Sequence, residues 1–372
     1  FLSDGSISSK NRWSIPIHIE EGNHESSILM KSQKSVVSLK NIDSNFIVNS
    51  GRYGFYRVQY DANSLAQLEL LIDEKILNHV DRWSLQNDLF SQCVSGTKQI
   101  QEYLDFTTSY HDEDNYITLQ NLAQNLYHLY KLTRKEKFSD EIRTYTAQFL
   151  GTIFDRLGWD SQKNEKHTNA LLRSFVITAL GKLGDKEILS EANKRFNKFL
   201  KNKNSLAADL QEPVFVLAAW QGDKKTYNRL LSLYRKSTLQ EEKIRFLMAM
   251  CNFKQKNLLL KTLALSLTPE VRSQNIRAPI MGVSANIYGK DVLWPWLKNH
   301  WKELVRKFGV GNPLANRIVA SVGGVIDDKQ ERDVRNFFKR NPLPGTERVI
   351  EQTLERVRIR SNFLRRIKVE FG

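Results

Sequence analysis

Residues 48–61 read VNSGRYGFYRVQYD, and this stretch decides the fold because the hydrophobic pattern of the chain changes across it. Before it, apolar side chains alternate with polar ones, as in a strand with one buried face. After it, apolar side chains recur every three or four residues, as on one face of an amphipathic α-helix. The stretch therefore predicts a junction between a β region and a helical region.

The β region is predicted to span residues 1–60. Its first strand has apolar side chains that alternate with mostly polar neighbours, at Trp13, Ile15, Ile17 and Ile19. Pro16 lies inside this strand and cannot donate a backbone hydrogen bond, which indicates an edge strand or a local irregularity.

Further β segments are expected after the first strand. Residues 27–30 and 35–39 are short strand candidates, and residues 46–48 and 53–60 are predicted to form a hairpin around an Asn-Ser-Gly turn. Because these strands are too few for a complete sandwich, we expect a small, incomplete β-sandwich. The chain would then begin inside that domain or keep only its later strands.

Residues 61–372 are predicted to form a helical domain. A mean helix length of about 11 to 12 residues gives roughly 15 to 18 helices over this stretch. Successive helix pairs with short loops favour an irregular α-solenoid of the armadillo or HEAT type, which has a concave surface that can hold or enclose something. The expected fold class is therefore mainly α, with an irregular superhelical α-solenoid after the small β-sandwich.

The charge of the chain is strongly positive, with 56 Lys and Arg against 41 Asp and Glu. Such a surface could attract nucleic acid, acidic lipid or acidic peptide. Solvated helix faces are the favoured alternative, because the basic residues are interleaved with acids, and only residues 356–368 are dense enough for a patch. We expect no nucleic-acid partner, and no membrane partner either, since no apolar run is long enough to span a bilayer.

The cysteines and the glycosylation pattern bear on location. Cys93 and Cys251 lie far apart in apolar helical contexts, which predicts buried free thiols rather than a disulfide. No Asn-x-Ser/Thr sequon occurs in the chain, which favours an intracellular, cytoplasmic protein.

Histidine is the residue that a hydrolytic zinc site would need, and its pattern is unfavourable. The sequence has no H-E-x-x-H, and the spacing of His18 and His24 around two glutamates matches no usual ligand set. A Gly-x-Ser-x-Gly nucleophile motif and a phosphate-binding loop are also absent from the sequence. We therefore expect neither a catalytic residue nor a metal site in this chain.

Residues 46–61 nonetheless carry a family resemblance. They are similar to the N-x-x-x-x-G-[FY]-[FY]-R-V-x-Y-D segment of the aminopeptidase N type zinc aminopeptidases, a gluzincin family that includes the puromycin-sensitive and the archaeal tricorn-interacting enzymes. The matching residues are Asn49, Gly54, Phe55, Tyr56, Arg57, Val58, Tyr60 and Asp61. Further matches follow in the family's order at residues 12–17, 81–90, 157–159, 171–176, 241–250 and 285–309. Their collinear order makes the resemblance strong.

The resemblance implies the C-terminal, non-catalytic portion of a zinc aminopeptidase that removes N-terminal residues from peptides. Residues 1–60 would be the end of the family's β-sandwich domain, and residues 61–372 its helical domain, which caps the active site and shapes the peptide chamber. In relatives the H-E-x-x-H and G-x-M-E-N signatures lie upstream, so zinc is expected in a catalytic domain outside this sequence. The expected partners are peptide substrates and the N-terminal and catalytic domains of the same polypeptide.

The resemblance also indicates candidate site residues. Residues 312–322, NPLANRIVASV, are similar to a stretch that carries an Arg toward the active site in glutamyl-aminopeptidase-like members, and Arg317 is the matching residue. Its guanidinium is expected to bind an acidic side chain or a peptide carbonyl. An arginine on a solvated helix face is an equally weighted alternative.

The matching residues of the junction motif, which precede the helices, have a different expected role. Asn49, Gly54, Tyr56, Arg57 and Tyr60 are expected to form a domain junction. Substrate contact by Arg57 or Tyr60 is the weaker alternative.

In a second hypothesis the chain is not part of an enzyme. The chain could be a free-standing basic helical-repeat scaffold that binds nucleic acid or acidic protein partners through its positive charge. That hypothesis predicts binding that weakens steeply with salt.

Overall fold

The computed structural model describes residues 13–22, 24–39, 45–309, 312–324 and 326–372. Within these ranges the chain has 16 α-helices and one three-stranded antiparallel sheet, so the predicted mainly α fold with a small sheet is confirmed. The chain divides into two compact units, Phe1–Thr152 with Asn362–Gly372, and Ile153–Ser361. The first unit holds the sheet and the second is entirely helical among its described residues.

The sheet consists of β1 (Ile15–Glu21), β2 (His24–Met30) and β3 (Phe46–Val48), in the order β2-β1-β3. β2 pairs with the full length of β1, whereas β3 pairs only with its last three residues. Pro16 precedes the part of β1 that β3 reaches, so on that side it needs no ladder partner among the described strands. β1 is the central strand of the sheet rather than an edge strand, and only its first part, which contains Pro16, is paired on one side alone among the described strands.

Two of the strand predictions were wrong. Residues 35–39 form no strand, and Val36 is 96% exposed because no neighbouring strand covers it. Residues 53–60 do not pair with β3 either. A 3₁₀ turn, Ser50–Arg52, follows β3 instead, and β3 pairs with β1. Arg12 of the family match at residues 12–17 lies outside the described residues.

The first unit is built around α2. Its helices are α1 (Ala62–Asp73), α2 (His79–Ser95), α3 (Ile100–Phe106), α4 (Tyr116–Thr133) and the larger part of α5 (Ser139–Leu157). Side-chain caps set two of the starts: Asp61 accepts a hydrogen bond from the Ser64 N–H, and Asn78 accepts one from the Val80 N–H. α2 ends at Gly96, whose φ of 88° is the left-handed conformation that glycine adopts at a helix end.

The last turns of α16 (Glu347–Phe371) also belong to the first unit. The Glu370 carboxylate accepts a hydrogen bond of 2.8 Å from the Ile100 N–H, at the start of α3. The Phe371 ring stacks on Phe138 with 5.0 Å between centroids, and the Arg366 guanidinium donates to the Val94 carbonyl. Part of the basic patch predicted at residues 356–368 is therefore structural.

The second unit is a stack of helices in two rows. Besides the end of α5 and residues 347–361 of α16, its helices are α6 (His167–Leu183), α7 (Lys186–Lys201), α8 (Ala208–Trp220), α9 (Lys224–Lys236), α10 (Gln240–Met250), α11 (Lys256–Leu265), α12 (Arg277–Ala285), α13 (Lys290–Phe308), α14 (Leu314–Val322) and α15 (Glu331–Arg340). In the first row α6, α8, α10, α12 and α14 pack side by side. In the second row, α7, α9, α11 and α13, only α11 and α13 pack closely on each other among the described residues.

Small residues allow the close approach of the first-row helices. A Cβ on Gly181 of α6 would lie 2.5 Å from the Leu217 side chain of α8, and one on Gly282 of α12 would lie 2.7 Å from the Cys251 side chain. The first row is therefore the tighter of the two. This alternation of a tight and a splayed row within one unit is the α-solenoid pattern.

Among the described helices, none combines the length and the apolar character that a membrane-spanning helix needs.

Candidate functional site

The junction segment, residues 48–61, takes many of its hydrogen bonds from side chains. Asn49 adopts a φ of 64°, a left-handed conformation that asparagine tolerates better than most residues. Its amide nitrogen donates to the carbonyls of Gly54 at 3.0 Å and Tyr56 at 3.2 Å, and its amide oxygen accepts from the Gly54 N–H at 2.7 Å. One side chain thus fixes the turn in place of a strand partner.

Gly54 is required at its position by space. A Cβ there would lie 2.0 Å from the Tyr56 ring, which folds back over the glycine. The Tyr56 hydroxyl accepts a hydrogen bond of 3.2 Å from the His18 N–H on β1, so this ring ties the segment to the sheet. The side chains of Tyr53 and Phe55, on either side of Gly54, are exposed.

Asp88 of α2 connects the segment to the helices. It is 4% exposed, and its carboxylate accepts hydrogen bonds of 3.0 Å from the Arg52 guanidinium and from the Val58 N–H. The Arg57 guanidinium lies 3.6 Å from the same carboxylate and also donates to the Ser91 hydroxyl. Two cations and one backbone donor therefore converge on a single buried acid.

Tyr60 closes the segment. Its buried hydroxyl accepts from the Val48 N–H at 2.9 Å and donates to the Val48 carbonyl at 3.4 Å. Burial raises the pKa of this hydroxyl above its ordinary value, which keeps it protonated and available as a donor.

A second buried acid, Asp81, holds the 3₁₀ turn. It is 2% exposed and accepts hydrogen bonds from the Gly51 N–H at 2.7 Å and the Ser50 hydroxyl at 3.2 Å. The Ser50 hydroxyl also contacts the Glu20 carboxylate. Burial, and to a smaller extent the charge of Glu20, raises the pKa of Asp81 above its ordinary value.

The structure thus brings together all five residues predicted for the junction. Asn49, Gly54, Tyr56 and Tyr60 contact one another or the sheet, and Arg57 contacts α2. Sequence reasoning did not assign the acids that hold them, although a signal was present. Asp81 and Asp88 are seven residues apart, a spacing that places both carboxylates on one face of a helix.

Arg317 lies on the exposed face of α14 in the second unit, next to the buried Ile318 and Val319. Over the ranges that the structure describes, its guanidinium has no hydrogen-bond or ion-pair partner. Its predicted role in substrate binding stays a prediction.

A buried arginine in the second unit accounts for two of the family matches. Arg173 of α6 is 1% exposed and donates to the carbonyls of Leu157 at 3.1 Å and Gly158 at 3.2 Å, and also to the Glu165 carboxylate. The matched stretches at residues 157–159 and 171–176 therefore meet in a structural anchor.

Both cysteines of the chain are buried free thiols. Burial raises the pKa of the Cys93 and Cys251 thiols well above the ordinary value, so neither is an activated nucleophile. In the described part of the chain, no three His, Cys, Asp or Glu side chains cluster so that they could hold a metal ion.

Comparison with known families matches residues 45–359 to the ERAP1-like C-terminal domain. Aminopeptidase M1 of Arabidopsis thaliana is 29% identical over 396 aligned positions, which cover 100% of this chain and 44% of the relative. Glutamyl aminopeptidase of Homo sapiens is 28% identical over 358 positions, covering 93% of the chain and 37% of the relative. Probable aminopeptidase 2 of Sulfurisphaera tokodaii is 27% identical over 344 positions, covering 92% and 41%.

The chain therefore spans less than half the length of these relatives. Because the family match extends over most of its length, from the junction segment into α16, the chain belongs to the ERAP1-like C-terminal domain family.

Proposed function

We propose that this chain is the C-terminal, non-catalytic portion of a zinc-dependent aminopeptidase that removes N-terminal residues from peptides. The observation that carries the proposal is the family match over residues 45–359, together with relatives named aminopeptidases that are more than twice as long as the matched region. The free-standing scaffold is not favoured by these matches. In this proposal the chain caps the active site and shapes the peptide chamber, while the zinc is held by a catalytic domain of the same polypeptide.

The helical stack suits such a role. Stacked helix pairs offer a long continuous surface on which residues from several helices can contact an extended ligand. Peptide substrates are the proposed ligands, and the N-terminal and catalytic domains of the same polypeptide are the proposed partners. The division into a β-sandwich at residues 1–60 and a helical domain at 61–372, and a cytoplasmic location, are parts of the same proposal.

Arg317 is the proposed substrate-binding residue. Its guanidinium is exposed on α14, and a carboxylate can accept two parallel hydrogen bonds from it. One relative is named glutamyl aminopeptidase. A free arginine would give an acidic N-terminal residue of a peptide a charged partner.

The junction residues are proposed to hold domains together rather than to contact substrate. The Tyr60 hydroxyl is bonded on both sides to Val48, and the Arg57 guanidinium is engaged by Asp88 and Ser91. The Tyr60 hydroxyl is therefore not available to a peptide, whereas the Arg57 side chain remains 51% exposed.

A direct test measures hydrolysis of aminoacyl-p-nitroanilides with added zinc. We expect no turnover by this chain alone, and turnover by the longer polypeptide that the proposal implies. Clear turnover by the isolated chain would contradict the proposal, as would a longer polypeptide without aminopeptidase activity.

The role of Arg317 is tested in that longer polypeptide with Arg317→Ala. We expect the KM for a peptide with N-terminal Glu to rise about tenfold, since one charge-assisted pair is lost, and that for N-terminal Ala to stay within about twofold. Arg332→Ala, which removes an exposed arginine from α15, is the matched control. Equal effects on both peptides would remove Arg317 from the site.

A further inference from the structure

The two rows of helices in the second unit differ in charge. In the second row, α7 carries five Lys or Arg and two Glu, and α9 carries five Lys or Arg and no acid. In the first row, α8 carries two acids and no Lys or Arg, and α10 carries two of each sign. The positive charge of this part of the chain is thus concentrated on one side of the stack.

The cations of α9 are free to bind a partner. Lys224, Lys225 and Lys236 are exposed and have no ion-pair partner within the described ranges. Arg235 is the exception, because its guanidinium is bound to the Glu270 carboxylate at 2.7 Å. α9 is strongly amphipathic, with Tyr227 and other apolar side chains turned inward, so its charges lie on the outer face.

Lys224, Lys225 and Arg229 lie on one open face of α9, together with Asp223, Asn228 and Ser232, and we name this surface the α9 basic face. The single acid, Asp223, caps the helix: its carboxylate accepts from the Thr226 N–H at 2.9 Å and from the Thr226 hydroxyl at 3.2 Å. Three cations therefore lie near one acid, and one oxygen of that acid is engaged by Thr226.

The composition of the surface selects the chemistry of the partner. Neither α7 nor α9 has a large exposed apolar side chain, so this face offers no ring on which a nucleic-acid base could stack and no wedge for a lipid bilayer. Lysine attracts anions as a point charge without a bidentate geometry.

We propose that the α9 basic face binds an acidic, extended polypeptide segment of a protein partner. Carboxylates spaced along such a segment meet Lys224, Lys225 and Arg229 in turn, and the binding energy is mainly electrostatic. This surface is separate from Arg317 on α14, and the proposal does not depend on aminopeptidase activity.

The test uses a fluorescein-labelled polyglutamate peptide and fluorescence anisotropy. We expect binding at low salt that weakens as salt is raised, because screening shortens the reach of exposed charges. Lys224→Glu with Lys225→Glu is expected to weaken binding about tenfold, since two favourable contacts become repulsive. The two new carboxylates lie in the first turn of α9, where the helix dipole favours negative charge, so the fold is retained.

The matched control is Lys135→Glu with Lys137→Glu in the loop before α5, which changes the net charge equally. We expect less than about a twofold effect on affinity from it. Equal weakening by both double variants would show that only net charge matters and would overturn the proposal. Absence of polyglutamate binding at low salt would also overturn it. So would tighter binding of single-stranded RNA, or of vesicles containing phosphatidylserine, that the α9 variant abolishes.

Discussion

The junction segment and the first row of helices are held together in opposite ways. In the junction segment, side chains of Asn49, Asp88 and Tyr60 supply hydrogen bonds that a strand partner would otherwise give. In the first row, each helix satisfies its own backbone, and neighbours approach closely through small residues such as Gly181. We therefore expect the junction to be sensitive to the loss of polar groups, and the first row to added volume.

Asp88→Ala is the sharpest test of whether the junction is sensitive to the loss of polar groups. The variant leaves the Val58 N–H without its acceptor and removes the carboxylate that two guanidinium groups share, and we expect the free energy of unfolding to fall by about 3 kcal/mol. Urea unfolding followed by circular dichroism measures the change. Asp112→Ala, at an exposed acid near α4, should cost less than about 0.5 kcal/mol. Similar losses in the free energy of unfolding for the two variants would contradict a central role of Asp88 in the junction.

The expected sensitivity of the first row to added side-chain volume is tested with a matched pair of glycines in helices. Gly181→Ala places a Cβ 2.5 Å from Leu217, whereas Gly151→Ala in α5 meets nothing within 4 Å. We expect Gly181→Ala to destabilise by about 1 kcal/mol, because overpacking exceeds the gain in helix propensity. Gly151→Ala should stabilise by up to about 1 kcal/mol. Thermal unfolding of both variants gives the difference, and equal shifts in one direction would argue against close packing in the first row.

A single hydroxyl tests how far the junction depends on side-chain donors and acceptors. Tyr60→Phe keeps the ring but leaves the Val48 N–H without its 2.9 Å acceptor. We expect a loss of about 1 kcal/mol in the free energy of unfolding. Tyr116→Phe, at the start of α4, is the control and should be near neutral. An unchanged stability for Tyr60→Phe would mean that water replaces the hydroxyl.

The smallest expected effect concerns the pH dependence contributed by Asp81. Because burial raises its folded-state pKa, the native state binds this proton more readily than the unfolded state does. The contribution of Asp81 is therefore fully present below the unfolded pKa of about 4 and is lost as pH rises through the folded pKa. Asp81→Asn should flatten the stability profile from about pH 4 upward by less than about 1 kcal/mol. A profile with an unchanged slope in urea titrations at several pH values would contradict this assignment.

The comparison also explains which features were readable from the sequence. The change in hydrophobic period at the junction predicted the mainly α fold, since each side's pattern is local. The hairpin at residues 46–48 and 53–60 was predicted wrongly because the partners that replace it, Asp88 and Gln92, lie about thirty residues away on α2. A local pattern contains no information about them.

The candidate site, too, could be predicted from the sequence only in part. The five junction residues were named from a family motif, and the structure adds the acids that fix them. Residues 35–39 failed as a strand for the complementary reason: their composition suits a strand, but no ladder partner lies beside them in the described sheet. A high β-strand propensity alone does not provide the neighbouring strand with which a segment must pair.

The docking of the end of α16 on the first unit has a consequence for synthesis. The Glu370 carboxylate caps α3 through residues 270 positions apart in the chain, and Phe371 stacks on Phe138. A ribosome makes the chain from its N-terminus, so the first unit emerges long before these closing residues exist. The first unit therefore lacks the contacts of these residues while the whole second unit is translated. Completion of the first unit is therefore a late event, and a stalled or shortened chain would leave the start of α3 and the ring of Phe138 uncovered.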